Sequence, residues 1–470
     1  MSTRDRALLR SALFGLLATA CTPDPGTSEV GENTETGEPS GDGDGDPSGD
    51  GDGDGELTPT FWQDVAPIYY ASCVGCHRDG GIAPFALDDY APAAAWASAS
   101  ALAVDARVMP PWLIRDDGAC NDWQDSPVLD DEAIETILAW VDAGSPEGTP
   151  RDDLEVPSSP GLEPGWVFNT PEFTPEPEGG VFSQYDEYRC FLIDPELDHD
   201  SYITASEVTP GNEALVHHVL VSIIDPEEIV DGGITNLEQI QALDDESPDR
   251  LGWPCFGVVG EGVEFDSIPV TWAPGTGALE FPEGTGAPIP AGDMLVAQVH
   301  YNMFDAEVIG QSDSSAVNLH FADEVERPGL LDLPSGLLGT LYEGDPHMIP
   351  PGEEDHAFTW SFPVDWYTGW QGAESLELWG LFPHMHEYGT SMSVRLLGPN
   401  DEDLGCIGEV PRWDFAWQLY YFLEEPITLE SGMRIEVTCH YDTTSAEEPI
   451  LPGWGTYNEM CLTGLYLVPK

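Results

Sequence analysis

Beyond about residue 181 the apolar residues fall at every second position, in short runs broken by the chain's 50 glycines and 42 prolines, and this spacing restricts what the C-terminal part can fold into. A period of two puts alternate side chains on opposite faces of a strand. In Met294-Leu295-Val296-Ala297-Gln298-Val299-His300-Tyr301 the residues alternate in this way, and Met433, Ile435, Val437 and Cys439 line one side of another strand. Many such runs separated by turns predict all-β sandwiches. Before residue 150 the period is helical instead. Phe61, Val65, Ile68 and Tyr69, then Ile134, Ile137, Leu138 and Val141, recur at three- and four-residue spacing, with Gly144 as a stop. One helix is expected at each end of residues 58–150, a Pro- and Glu-rich linker over 151–180, and strands thereafter.

The N-terminus predicts export. Arg4, Arg6 and Arg10 precede a short apolar run from Ser11 to Leu17 and then Ala18-Thr19-Ala20-Cys21, so residues 1–21 are an expected signal. Ala-x-Ala suits ordinary cleavage, whereas small residues leading into Cys21 resemble a bacterial lipobox with Leu17 one place early. Lipidation of Cys21 is the favoured reading, with Thr22 suiting outer-membrane rather than inner-membrane sorting. A periplasmic or outer-membrane lipoprotein is therefore expected, held to the membrane only by that anchor. Residues 22–57, Gly- and Asp-rich and nearly free of apolar side chains, cannot bury a core and are expected to be a disordered, self-repelling spacer. Across the chain 87 acidic residues face 14 basic ones, which excludes nucleic acid and anionic lipid surfaces as partners.

Cys73-Val74-Gly75-Cys76-His77 supplies two thiols for thioether bonds to haem and an imidazole for its iron. After His77 no histidine occurs before His199, and Met109 is the only methionine before Met294, so Met109 is the expected second axial ligand. Residues 58–150 thus resemble a class I cytochrome c, which implies a small all-α haem domain that receives electrons from an unidentified donor.

A second set of soft ligands lies downstream. His384 and His386, two apart on a strand, project from one face and can share an ion, with Met385 turned into packing. The adjacent His217 and His218 point to opposite faces of a regular strand, so joint ligation demands a local twist or the use of different ring nitrogens. His199, His320, His347, His356 and His440 are expected to be ordinary hydrogen-bonded imidazoles. Met460 is a sensible thioether ligand for Cu(I), whereas Met433 belongs to a core-facing strand side. Zinc is the competing metal, but a structural zinc site seldom uses Met and a hydrolytic one wants a carboxylate base nearby.

The order His-His, His-Tyr (His300-Tyr301), His-x-His, then Asn-Glu-Met-Cys resembles the copper type II, ascorbate-dependent monooxygenases, over roughly residues 181–470. Trp413-Asp414-Phe415-Ala416-Trp417-Gln418 and Cys439-His440-Tyr441-Asp442 share the resemblance. It implies two jelly-roll-like β domains, 181–327 and 328–470, each with one copper, facing across a solvent-filled cleft. His217, His218 and His300 would hold the electron-storing copper; His384, His386 and Met460 would hold the copper that meets O2 and substrate. Ascorbate would be a reductant. In the amidating branch, a peptide carboxylate is held by an Arg and by Asn and Tyr at positions that are Phe382, Leu462 and Gly464 here, which implies a small neutral or apolar substrate instead.

Of nine cysteines, six remain after Cys21, Cys73 and Cys76 are assigned, an even number for an oxidising compartment. The resemblance implies Cys190 with Cys255 and Cys439 with Cys461; Cys120 and Cys406 remain, paired or free. The expected activity is insertion of one oxygen atom of O2 into a C–H bond, with electrons relayed through the fused haem. The alternative is a copper-binding or electron-transfer lipoprotein that hydroxylates nothing. An open, substrate-sized cleft beside Met460 would favour the enzyme, and a filled one the binder.

Overall fold

The strand Met294–Asn302 shows how the pattern becomes architecture. Its odd-numbered residues Leu295, Ala297, Val299 and Tyr301 enter one large hydrophobic core, while Val296 on the opposite face joins a smaller one with Ile240, Leu243 and Trp253. The strand is therefore buried on both sides, with Gln298 and His300 on the second face. The computed structural model describes residues 58–79, 83–155, 161–177, 185–230, 232–255, 258–273, 276–342, 344–455 and 458–470. The expected export signal over 1–21, Cys21 included, and the spacer over 22–57 lie outside the described residues.

Strands dominate. They run β1 (Trp166–Asn169), β2 (Asp186–Ile193), β3 (Ser201–Thr209), β4 (Val216–Ile224), β5 (Trp253–Pro254), β6 (Ser267–Trp272), β7 (Leu279–Glu280), β8 (Thr285–Ile289), β9 (Met294–Asn302), β10 (Ala316–Ala322) and β11 (Arg327–Pro328). The remainder are β12 (Leu330–Asp332), β13 (His356–Pro363), β14 (Ser375–His384), β15 (Gly389–Leu397), β16 (Asp403–Val410), β17 (Tyr421–Glu430), β18 (Arg434–Tyr441) and β19 (Leu462–Pro469). Four sheets result. Two order as β1-β10-β3-β8-β11, with β7 on β3, and β5-β2-β9-β4-β6; the other two order as β12-β19-β14-β17 and β13-β18-β15-β16.

The third of these sheets joins the two halves. Leu465 and Leu467 of β19 face a core shared with Ile435 and Val437 of β18, whereas Leu462, Tyr466 and Val468 join the core of the first half. Phe382, Tyr420 and Met460 lie in that same first core, so the two halves meet through packed apolar side chains. Burying apolar surface on both faces of one sheet excludes water from the junction.

Helices are few: α1 (Ala66–Ser72), preceded by a π-turn over Phe61–Val65, α2 (Tyr90–Asp105), α3 (Asp131–Asp142), α4 (Asn236–Asp244) and α5 (Gly336–Tyr342). The first three share a small core of Phe61, Tyr69, Ala97, Val104, Ile137 and Trp140. The expected division into a small all-α cytochrome c-like domain followed by two all-β jelly-roll-like sandwiches is corrected by this arrangement. The described chain is mostly β in four sheets, and the N-terminal helices form no separate all-α cytochrome c-like unit. Pro110 and Pro111 end any helical continuation of α2, because proline lacks the required N–H. The chain then leaves the helices and docks on the last β unit. Leu113, Ile114 and Trp123 enter its core, Arg115 N–H donates to Glu409 O at 2.7 Å and Gln124 N–H to Phe422 O at 2.8 Å, and Cys120 is disulfide-bonded to Cys406. No helix of the described residues is long and apolar enough to cross a membrane.

Candidate metal centre

A bulge makes the first histidine cluster. Val216 of β4 pairs with Tyr301 of β9 and His218 pairs with His300, leaving His217 as the extra residue of a register shift. Bulges re-aim side chains, and this one supplies the twist that the adjacent His217 and His218 require. His217, His218 and His300 bring ligand nitrogens to within 4.8 Å of one another. His218 Nδ1 lies 3.3 Å from both His217 Nδ1 and His300 Nδ1.

The outer nitrogens are tied down. His300 Nε2 meets Asp186 Oδ1 at 3.0 Å, and Asn302 Nδ2 donates to the same oxygen at 2.8 Å. His218 Nε2 meets Gln298 Oε1 at 3.3 Å. Gln298 Nε2 in turn donates to Cys255 O and Val258 O at 3.1 and 2.7 Å, which sets the amide so that its oxygen faces His218. With Asp186 and Gln298 accepting, both imidazoles carry their proton on Nε2 and turn bare Nδ1 lone pairs inward, as a metal requires. Tyr188 stacks on His300 at 4.0 Å, and the Cys190–Cys255 disulfide backs the same strands. His217 and His218 are held well below the usual histidine range, first by burial and then by the closeness of the His300 ring, with smaller effects from His384 and His386.

The second set uses the opposite tautomer. His384 ends β14, and its Nδ1 meets Gln418 Oε1 at 2.7 Å while Gln418 Nε2 donates to Phe415 O at 3.0 Å. His386 Nδ1 meets Asn458 O at 3.0 Å. Both therefore keep Nε2 free as the donor atom. Met385 is fully buried in the core behind them. Burial pushes His384 down to about 4 and His386 well below its ordinary value, so both are neutral at pH 7. Glu459 fastens the set: its carboxylate accepts N–H bonds from His386 at 3.0 Å, Tyr388 at 2.8 Å and Met460 at 3.3 Å. Burial raises this carboxyl to about 8, against the pull of those three donors. Tyr441 donates to Met460 O at 2.8 Å, and the Cys439–Cys461 disulfide pins the residue after Met460.

The two sets nearly touch. The Phe415 ring lies 5.1 Å from His217 and 5.9 Å from His386. His218, His384, His386 and Met460 line one cavity of about 40 Å³ with Thr271, Trp272, Phe382, Gln418 and Leu462.

Of the N-terminal candidates, Cys73 and Cys76 are free thiols, the former pushed up to about 12 by burial. His77 Nδ1 meets Phe85 O at 3.1 Å, leaving Nε2 free. Met109 lines a cavity of about 820 Å³ with Arg107, Trp112, Leu129 and Arg412. His199 bonds Asp198 and Asp323, His320 bonds Glu163 O, and His440 bonds Asp355.

Asp186, Gln298, Gln418 and Glu459 were not singled out from the sequence. Gln298 stands two residues before His300 on one strand face, and Glu459 lies within Asn-Glu-Met-Cys; both positions carried a signal. Asp186 and Gln418 reach their histidines only across strands or loops.

Residues 336–469 match the copper type II ascorbate-dependent monooxygenase C-terminal domain. DBH-like monooxygenase protein 1 of Gallus gallus is 24% identical over 294 residues, 60% of this chain and 44% of that protein. Tyramine beta-hydroxylase of Caenorhabditis briggsae is 25% identical, covering 63% of this chain and 47% of its own length. Dopamine beta-hydroxylase of Rattus norvegicus is 26% identical, with 60% and 43% covered. The chain spans less than half the length of each of these relatives. The comparisons thus give a likeness to the C-terminal domain of the copper type II ascorbate-dependent monooxygenases over residues 336–469, and to these relatives at 24–26% identity.

Proposed function

We propose that this chain is an exported copper monooxygenase that hydroxylates a C–H bond of a small neutral or apolar substrate with O2. The balance is R–H + O2 + 2 electrons + 2 protons giving R–OH + H2O, with ascorbate or a covalent haem as electron source. The observation that carries the reading is the pair of ligand sets, His217, His218 and His300 on one side and His384, His386 and Met460 on the other, with His218, His384, His386 and Met460 lining one cavity. Copper held there would supply the one-electron chemistry, with the Met460 thioether favouring the reduced state. The protein's own part is orientation: Asp186 and Gln298 set the tautomers of one set, Gln418 and Asn458 those of the other. Phe382 and Leu462 line the cavity where the amidating branch needs carboxylate-binding side chains, so a charged substrate would stay unpaired there.

Cys73 and Cys76 are read as haem thioethers and His77 as an iron ligand, with Met109 as the second axial ligand. Support comes from the free thiols and from the Phe85 carbonyl that orients His77. Two of the three disulfides lie in the copper-binding halves and all three suit an oxidising compartment. The Cys21 anchor and outer-membrane placement belong to the same proposal.

One observation favours the second reading, a copper-holding or electron-transfer protein: the cavity's small volume. Anaerobic reduction of copper-loaded protein, followed by 18O2 and an extract of candidate metabolites, separates the two. The enzyme gives a product carrying one 18O atom that is lost in Met460→Ala. Absence of any labelled product, with both coppers bound and reduced, refutes hydroxylation.

A further inference from the structure

Away from the two ligand sets, the fold brings together two histidines that the sequence leaves nine residues apart in an unremarked loop. His347 follows α5, and His356 opens β13. Their Nε2 atoms face each other at 3.3 Å. The backbone N–H of His347 is held by Thr340 Oγ1 at 2.9 Å, and its ring rests 4.8 Å from Phe358. His356 Nδ1 meets Glu353 Oε2 at 2.7 Å. A carboxylate can only accept, so His356 carries its proton on Nδ1 and turns a bare Nε2 lone pair toward His347.

The bland account is a shared N–H···N bond between neutral rings. At 3.3 Å that contact fits a long N–H···N bond, and it fits a shared ion equally well. Two imidazole nitrogens each ~2.0–2.1 Å from one ion stand about 3.3 Å apart when the angle between them is near tetrahedral. A histidine whose far nitrogen is oriented by a carboxylate is the arrangement that metal-bound imidazoles show. Both rings are half-buried, and burial together with His356 pushes His347 below its ordinary value, so it is neutral and able to ligate at pH 7. The acidic surface, at a formal net charge of -73, concentrates cations around it.

We propose that His347 and His356 form a further metal site, for a borderline divalent ion of the zinc or copper(II) class, with water completing the coordination and Glu353 orienting His356. The ion ties the loop after α5 to the edge strand β13. It lies outside the cavity lined by His384 and Met460 and does not depend on the proposed hydroxylation.

Zinc binding to the full chain tests this directly. One equivalent should disappear from the total in the His347→Ala/His356→Ala variant, and Glu353→Gln should weaken that equivalent by about 10–100-fold. On the unsubstituted protein, zinc should slow diethyl pyrocarbonate modification of His347 and His356, mapped by mass spectrometry, while His199 reacts at an unchanged rate. The proposal is overturned if the paired variant, folded by circular dichroism, keeps the full zinc stoichiometry, or if zinc gives His347 and His356 no protection.

Discussion

Replacing Gln418 by leucine removes one small polar group from the wall beside His384 and tests whether outer contacts govern this centre. Gln418 is buried, accepts from His384 Nδ1 at 2.7 Å and donates to Phe415 O at 3.0 Å. Leucine of similar volume makes neither bond. Two buried polar groups left unpaired cost about 1–3 kcal/mol each. The roughly 40 Å³ cavity lets a water recover part of this on the His384 side, so a loss of about 2–4 kcal/mol is expected for the metal-free protein. The imidazole is then no longer set with Nε2 as its bare nitrogen, and losing such an orienting partner weakens metal binding about 10–100-fold, or ~1.4–2.7 kcal/mol. Copper titration should show one of two sites weakened while the His217, His218 and His300 site is untouched; urea denaturation gives the stability term. Gln418→Glu keeps the acceptor for His384 and should hold copper within about tenfold of the parent. If the leucine variant binds both coppers as the parent does, or if the two variants weaken the site equally, the tautomer argument fails.

The other expectations are independent of that one. His384→Ala or Met460→Ala should abolish hydroxylation with the haem spectrum intact, while Met109→Ala should perturb the haem and leave two coppers bound; copper loss from the Met109 variant alone refutes the separation. Burial and the nearby Asp266, Asp225 and Asp200 raise Asp293 from 3.8 to about 7. A raised carboxyl contributes its stability below its unfolded value and loses it as pH climbs through the folded one. Asp293→Asn should therefore stabilise the chain at pH 8 and not near pH 3, by an amount that solvent screening keeps well below the full shift, read from denaturation at the two pH values. A glycine-extended peptide should show no turnover with copper, O2 and ascorbate, since Phe382 and Leu462 line the cavity; rates like those of an amidating enzyme contradict this. Breaking Cys120–Cys406 opens a link between residues 286 apart, at a cost of up to ~5 kcal/mol. Limited proteolysis should then cut first between α2 and α3.

Strand periodicity was legible because β9 and β18 alternate faithfully between faces, and His-x-His puts two imidazoles on one strand face within three residues. Helix α2 was not expected. Its buried positions Ala93, Ala97 and Ala101 fall at helical spacing, but alanine stands on both sides of the helix and marks no face. The docking of Leu113, Ile114 and Trp123 on the last β unit was equally hidden, because an apolar triplet in a loop does not say which core receives it.

The sequence by itself determined the ligand types, their order along the chain, the excess negative charge and the strand-rich character beyond residue 181, since these depend on side-chain chemistry and local spacing. Only the tertiary structure decided that His217 sits on a bulge, that Gln418 and Asp186 orient histidines 34 and 114 residues away, that Cys120 joins Cys406, and that His218, His384, His386 and Met460 line one cavity. Each of these rests on contacts between segments far apart in the chain. Local propensity is silent about such contacts, because the free energy that selects them comes from burying whole sheet faces together.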